Sequence, residues 1–89
     1  MFGTIKPHTS RAAIDGILAM LERGELSPPQ QVPAERDLAR RLGTRRRVVR
    51  YATQTLIEHG VFEIRRHNRV FVRLGADEPE VARQVRAVL

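Results

Sequence analysis

Cysteine is absent from this 89-residue sequence, so neither a disulfide scaffold nor a cysteine-based zinc site can stabilise the fold. The three histidines, His8, His59 and His67, lack the spacing of metal ligands, and we expect no metal site. No apolar run approaches the roughly 20 residues that cross a bilayer, and residues 1–6 lack the hydrophobic core of a signal peptide. We therefore expect a cytoplasmic protein without a membrane partner.

Aromatic residues and enzyme motifs are also scarce. Sequence-specific RNA binding stacks bases on aromatic side chains, but the chain has one tyrosine and three phenylalanines, and we expect Phe62 and Phe71 in the core. There is no glycine-rich phosphate loop, and Ser10 and Ser27 have no histidine and carboxylate placed to activate them. The acids that lie among arginines are Glu35, Asp37, Glu58 and Glu63. We expect these acids to form ion pairs, and we do not expect an enzyme.

Positive charge is concentrated in one part of the chain. The formal net charge is +6, yet residues 1–32 balance to zero and residues 74–89 to −1. Residues 33–73 hold eleven arginines against four acids, a balance of +7. A patch this local indicates a polyanionic partner. A chain of this length allows one small domain with a single core.

The first two helices are predicted from apolar periodicity and from glycines that can end a helix. A helix over residues 10–23 is predicted from four apolar residues on one face, Ile14, Ile17, Leu18 and Leu21. Thr9 or Ser10 can cap this helix, and Gly24 can end it. Residues 25–33 contain three prolines and are expected to form an extended connector inside the domain. A second helix, residues 34–42, should turn Leu38 and Leu42 inward and end at Gly43 in a left-handed C-cap.

A third helix, beginning at Thr44 or Arg45, separates apolar and basic side chains. On a helical wheel Val49, Ala52 and Leu56 form a buried seam. The side turned away from this seam carries Arg46, Arg47, Arg50 and Gln54. These polar residues extend along about 12 Å of helix axis, which fits a DNA major groove. The planar fork of arginine can bridge O6 and N7 of guanine or hold a phosphate.

Alternating apolar and polar residues at 61–65 and 70–73 predict a β-hairpin. Asn68 can supply a left-handed turn residue. The residues that join the strands are Arg66, His67, Asn68 and Arg69. A hairpin directly after a DNA-reading helix is a wing, and its tip could enter the minor groove or contact the DNA backbone. The alternative is a hairpin that covers the core while its charges are merely solvated.

One pattern of residues runs without gaps from the second helix into the hairpin. It consists of Pro-Ala-Glu-Arg-Asp-Leu-Ala at 33–39, then Leu42-Gly43, Arg46, Val49-Arg50, Ala52, Leu56 and Gly60-Val61. This pattern resembles the N-terminal DNA-binding domain of GntR-type bacterial transcriptional regulators, and the resemblance covers about residues 10–73. It implies a mainly α fold with a small β-hairpin, the winged helix-turn-helix, over residues 10–74. Residues 1–9 would form an N-terminal arm, and residues 75–89 a linker and the start of a C-terminal helix.

That last helix is predicted from Pro79 near its first turn and from five apolar residues at helical spacing, Val81, Ala82, Val85, Val88 and Leu89. The family joins the DNA-binding domain to a larger effector and dimerisation domain. The chain is therefore either a fragment cut at the start of that domain or a short protein whose last helix packs or pairs. We favour the fragment, because an apolar face left open is hard to justify in a soluble monomer.

By position, the resemblance assigns DNA contacts to Arg36, Arg46 and Arg50. We expect the backbone amides and hydroxyl at Thr44, with Arg36 and Arg45, to bind phosphates, and Arg46, Arg47 and Arg50 to approach base edges. Gln54 and the hairpin residues Arg66, His67, Asn68 and Arg69 complete the predicted site. The expected partner is double-stranded DNA, with a homodimeric full-length repressor on a palindromic operator. No cofactor is expected in this chain, and a small-molecule effector is expected only if a C-terminal domain exists.

Several positions depart from the family pattern. Arg45 and Val48 stand where the family commonly has Ser and Thr, and the hairpin lacks the glycines and the threonine of a Gly-x-Gly-Thr-Phe-Val ending. Ala34 lacks the hydroxyl that caps the second helix in the family, which costs about 1 kcal/mol. These departures and the dense arginine block motivate the alternative function, a non-specific nucleic-acid or protein-interaction module with no preferred DNA sequence.

Overall fold

Four α-helices and two strands form within residues 10–89, the part of the chain that the computed structural model describes. They are α1 (Ser10–Glu22), α2 (Glu35–Leu42), α3 (Arg46–Glu58), β1 (Phe62–Arg65), β2 (Arg69–Val72) and α4 (Pro79–Val88). This arrangement confirms the predicted winged helix-turn-helix with a short C-terminal helix. The predicted N-terminal arm at residues 1–9 and the cap at Thr9 lie outside the described residues.

Helix α1 supplies the largest apolar face of the core and packs against α3 and α4. Its buried residues include the four predicted ones, together with Ala13 and Met20. Opposite it, the α3 seam of Val49, Ala52 and Leu56 is completely buried, as the helical wheel predicts. Burying a leucine or valine side chain contributes about 1.5–3 kcal/mol. Throughout residues 10–89 every buried side chain is apolar, so the charged side chains lie at the surface.

The turn between α2 and α3 is closed by Gly43. Its φ of +69° is left-handed, which glycine adopts without steric cost. The Gly43 N–H donates to the Arg40 carbonyl, and the Thr44 N–H donates to the Ala39 carbonyl at 2.9 Å. These two bonds form a Schellman motif that ends α2. Helix α3 then begins after Arg45, its N-cap, so the two helices are joined by the short turn that the sequence predicts.

Strands β1 and β2 pair antiparallel, with Phe62 opposite Val72 and Arg65 opposite Arg69. The strands are displaced by about one residue from the predicted spans, 61–65 and 70–73. Their turn, Arg66–Asn68, has left-handed backbone at Asn68, as predicted, and also at His67, which was not predicted. Phe62 and Val72 are buried, so one face of the hairpin closes the core and the other faces outward.

The connector before α2 contributes to the sheet as well. Gln31 forms an isolated antiparallel bridge with Phe71. The Val32 N–H donates to the Val70 carbonyl at 2.8 Å, and the Val72 N–H donates to the Gln30 carbonyl at the same distance. The predicted extended conformation holds only for the second half of the connector, which pairs with the β2 edge, whereas residues 25–29 form bends and a turn. The pairing was not predicted, because prolines dominate the segment and its partner is about forty residues away.

Helix α4 docks on α1 through apolar and ionic contacts. Ala82 and Val85 are buried, whereas Val88 remains exposed. The Arg86 guanidinium donates to both carboxylate oxygens of Glu22, at 3.0 and 3.1 Å, and lies 3.4 Å from Asp15. The pKa of Glu22 is lowered, chiefly by the hydrogen bonds from Arg86. These contacts hold the C-terminal helix on the face of α1.

Candidate nucleic-acid interface

Helix α3 presents its polar residues on the surface opposite the buried seam. Arg46, Arg47, Arg50 and Gln54 are all exposed, as the helical wheel predicts. Arg47, Arg50, Tyr51 and Gln54 line one shallow depression on this side of the helix. The burial of Val49, Ala52 and Leu56 fixes the rotation of α3 about its axis. The basic face therefore cannot turn inward without exposing the core.

Two of these arginines share a carboxylate from α2. Glu35, at the first position of α2, accepts a bidentate pair of hydrogen bonds from Arg50: Nε to Oε2 and Nη2 to Oε1, each at 3.1 Å. Nη2 of Arg46 lies 3.8 Å from Oε1 of the same carboxylate. The pKa of Glu35 is lowered, first by the hydrogen bonds from Arg50 and further by attraction to the Arg50 and Arg46 charges, against a partial burial that raises it. Glu35 stays ionised at neutral pH and links α2 to the basic face of α3.

Ion pairs were predicted for four acids in the basic segment, but Glu35 was not predicted to lie in the site. The predicted pairing is confirmed for Glu35, for Glu63 and for Asp37. It is wrong for Glu58, which forms no ion pair within residues 10–89. Glu35 and Arg50 are fifteen residues apart and on different helices, so helical spacing provides no signal for their contact. Only the packing of α2 across α3 brings them together.

The helix start of α3 carries a further group of predicted residues. Arg45, the N-cap, and Arg36 on α2 are exposed, and Arg36 lines a second depression together with Glu35 and Arg46. The expectation that the Thr44 backbone amide binds phosphate needs correction, because this N–H is used in the Schellman motif. In any helix the first three N–H groups lack intrahelical acceptors. In α3 these belong to Arg46, Arg47 and Val48.

Other arginines of α2 are paired within their own helix. Arg40 and Arg41 lie 2.8 and 3.1 Å from the carboxylate oxygens of Asp37, at i,i+3 and i,i+4 spacing. The arginines of residues 33–47 thus fall into two groups. Two of them pair with Asp37, whereas others, such as Arg36 and Arg45, are exposed to solvent. Part of the positive charge counted in the sequence is consequently neutralised within the domain.

The outward face of the hairpin is basic and partly aromatic. Its predicted residues, Arg66, His67, Asn68 and Arg69, are exposed at the tip. Arg65, which the sequence analysis did not include, lies 4.6 Å above the Phe71 ring and pairs with Glu63. Phe71 was expected in the core, but strand alternation places it on this outward face, where it is only half-buried. Alternation from Glu63 was the signal that could have identified Arg65.

Metal-binding clusters and membrane-spanning helices are both absent from residues 10–89. No group of three or more His, Cys, Asp or Glu side chains in this range is arranged to hold a metal ion. No helix of the described chain is long and apolar enough to cross a membrane.

The family model described as "Bacterial regulatory proteins, gntR family" matches residues 9–72. Among solved structures, the chain is similar to YtrA from Sulfolobus acidocaldarius, a GntR-family transcription factor, with 25% sequence identity and a TM-score of 0.56. The match covers 84% of this chain and 64% of the YtrA chain, so this sequence spans less than two thirds of its solved relative. No curated protein matches the sequence significantly.

The family match spans most of the sequence and includes both helices of the helix-turn-helix and the hairpin. The fold agrees, because the structural similarity to a GntR-family transcription factor covers 84% of this chain. Where each arginine contacts DNA stays a prediction. The chain belongs to the GntR family and carries the DNA-binding winged helix-turn-helix domain of a GntR-family transcription factor.

Proposed function

We propose that this domain binds double-stranded DNA in a sequence-specific manner, with α3 in the major groove and the hairpin at the minor groove. The observation that carries the proposal is the separation of faces on α3. Its buried seam fixes the helix rotation, and the opposite face exposes Arg46 and Arg47 in the first turn and Arg50 in the next. An α-helix fits the major groove, where arginine can bind the O6 and N7 acceptors of guanine.

The proposed contacts divide into two kinds. Arg46, Arg47 and Arg50, with Gln54 further along the same face, approach base edges. Arg36, Arg45 and the hydroxyl of Thr44 bind phosphates, aided by the free N–H groups at the start of α3. The hairpin residues Arg66, His67, Asn68 and Arg69 set the orientation of the domain. Side chains take this role at the tip because the glycines that allow close backbone approach are absent.

For the full-length protein we propose a homodimer on a palindromic operator, with half-sites about one helical turn apart. Operator occupancy excludes other proteins from that stretch of DNA, so we propose repression as the regulatory outcome. A small-molecule effector is proposed only for a protein that includes a further C-terminal domain, and no cofactor is proposed for this chain. Since the ligand is chromosomal DNA, the proposed location is the cytoplasm, at the nucleoid when bound.

Selection of duplexes from a random pool, combined with sizing of the free and bound chain, tests this proposal. We expect enrichment of one short motif and, at high protein concentration, of two such motifs in inverted repeat. The alternative module, favoured by the altered wing tip, predicts no enriched motif and an affinity set by salt alone. A flat selection result would therefore refute sequence-specific binding.

A further inference from the structure

We propose that Glu35 is a positioning residue that orients Arg50 and Arg46 for base recognition and thereby sets how sharply the domain discriminates between DNA sequences. The inference rests on the proposed function, because it assigns base contacts to these two arginines. It adds a residue that the sequence analysis placed outside the site.

The first observation is the geometry of the Arg50 pair. The carboxylate of Glu35 accepts from Nε and Nη2, so it occupies the side edge of the guanidinium group. Arginine has five N–H donors in a planar fork, and this pair leaves both hydrogens of Nη1 and one of Nη2 available. Those donors form the end edge of the group, which can bind O6 and N7 of guanine in parallel. A single Arg50 can therefore hold Glu35 and a guanine simultaneously.

The second observation is that the anchor comes from a different helix. An arginine side chain has several rotatable bonds and loses rotamer freedom when it is held in one conformation. Glu35 already restrains the Arg50 side chain in the free protein, and it lies 3.8 Å from Nη2 of Arg46 on the preceding turn. Both arginines are thus held beside one carboxylate before DNA arrives, which lowers the entropic cost of binding the correct sequence.

The third observation concerns charge. Glu35 is one-third exposed and is ionised at neutral pH, at a surface proposed to face phosphates. A carboxylate there repels any DNA, so it weakens non-specific binding, which depends on charge alone. Where a guanine accepts from the oriented fork, the base contact offsets this repulsion. Glu35 therefore weakens binding to incorrect sequences more than to the correct one.

A stabilising role alone does not account for this arrangement, because ion pairs between side chains this exposed contribute little to folding. The Arg50 side chain is 65% exposed even with the pair intact. Asp37 provides the matched comparison. It lies on the same helix, is 34% exposed against 33% for Glu35, and also pairs with two arginines, but those are on α2 rather than on α3.

The test compares Glu35→Gln with Asp37→Asn in the full chain, using a duplex selected from the random pool and a scrambled duplex of equal length. For Glu35→Gln we expect binding to the scrambled duplex to become tighter by about threefold, and the ratio of selected to scrambled affinity to fall by about tenfold, as for loss of one oriented base contact. For Asp37→Asn the same charge is removed, so scrambled binding should tighten similarly while the ratio stays within about twofold.

The outcomes separate the two levels of the proposal. A wild-type chain with no preference between the duplexes would overturn the proposed function. A wild-type chain with a preference that Glu35→Gln retains would overturn only the role of Glu35. Equal losses of the ratio in Glu35→Gln and Asp37→Asn would also overturn it, since charge or stability would then explain both.

A double variant tests whether Glu35 acts through Arg50. In an Arg50→Ala background, Glu35→Gln should change the affinity ratio by less than about threefold, because the oriented fork is already gone. Thermal unfolding of every variant checks that it is folded at the temperature of the binding measurements. An undiminished tenfold effect in the Arg50→Ala background would show that Glu35 does not act through Arg50.

Discussion

Replacing Arg50 with lysine separates the charge of this residue from its fork. Lysine retains one positive charge but cannot form the bidentate pairs of a planar guanidinium. In the structure the Arg50 fork makes two 3.1 Å bonds to Glu35, and in the proposed complex its remaining edge makes two bonds to a guanine. Arg50→Lys should therefore lose the oriented base contact while it leaves the electrostatic attraction to DNA in place.

The magnitude follows from the two kinds of interaction. A bidentate arginine–guanine pair discriminates by about 1–3 kcal/mol, which corresponds to about 5- to 140-fold in affinity for the selected duplex. Affinity for a scrambled duplex should change by less than about threefold, because the number of neutralised phosphates is the same. The exposed Arg50–Glu35 pair contributes little to folding stability, so the variant should remain folded at room temperature.

Fluorescence anisotropy on matched and scrambled duplexes at several salt concentrations measures these quantities. The slope of log affinity against log salt should be unchanged in Arg50→Lys, and it should be shallower by about 0.9 in Arg45→Ala, which removes a proposed phosphate contact. Arg45→Lys is the matched control, since Arg45 is an exposed N-cap residue proposed to bind phosphate as a point charge. If Arg50→Lys and Arg45→Lys weaken both duplexes equally, the assignment of Arg50 to base recognition is wrong.

Three further predictions concern the stability of the fold. Leu56→Ala, at a completely buried seam position, should lower the free energy of unfolding by about 2–5 kcal/mol. Leu74→Ala, at a 74% exposed position, should change it by less than about 0.5 kcal/mol. Urea denaturation measures both values, and similar costs would contradict the core assignment. Gly43→Ala should lower the free energy of unfolding by about 1 kcal/mol because of the φ of +69°. Gly43→Asn should lower it clearly less, since asparagine tolerates left-handed backbone. Thermal melts of both variants check this, and equal melting temperatures would argue against the left-handed conformation at Gly43. The carboxyls whose pKa is lowered from the ordinary 4.5 by hydrogen bonds from arginine are Glu22, Glu25 and Glu35. Their folded pKa lies below the unfolded one, so their stabilising effect is complete above about pH 4.5 and is lost as the pH falls through the folded values. Melting temperatures measured between pH 3 and 7 should decline only below about pH 4.5. In Arg86→Ala this decline should be smaller. An acid profile identical to that of the wild type would show that Glu22 does not contribute to the pH dependence of stability.

Most of the fold was predictable because it depends on local regularities. The apolar spacing of α1 and α3, the left-handed position at Gly43 and the alternation of the hairpin are all properties of neighbouring residues, and each was confirmed to within about one residue at the element ends. One miss is a contact between distant segments, and the other is an error in strand alternation. Gln31 pairs with Phe71, and Phe71 lies on the outward face of the sheet beneath Arg65 rather than in the core. No local pattern specifies which strand edge a proline-rich connector will meet.

The candidate site divides in the same way. The sequence by itself determined that residues 33–73 carry the excess charge, that Arg46, Arg47 and Arg50 share one face of α3, and that the chain resembles the GntR family. Helical periodicity suffices to predict the shared arginine face of α3, because side-chain direction along a helix follows from its geometry. Only the tertiary structure decided which charges remain available to a partner: Asp37 pairs with Arg40 and Arg41, the Thr44 amide is used inside the turn, and Glu35 crosses from α2 to hold Arg50. Ion pairs and hydrogen bonds depend on distances of about 3 Å between atoms, and packing of one helix across another sets those distances.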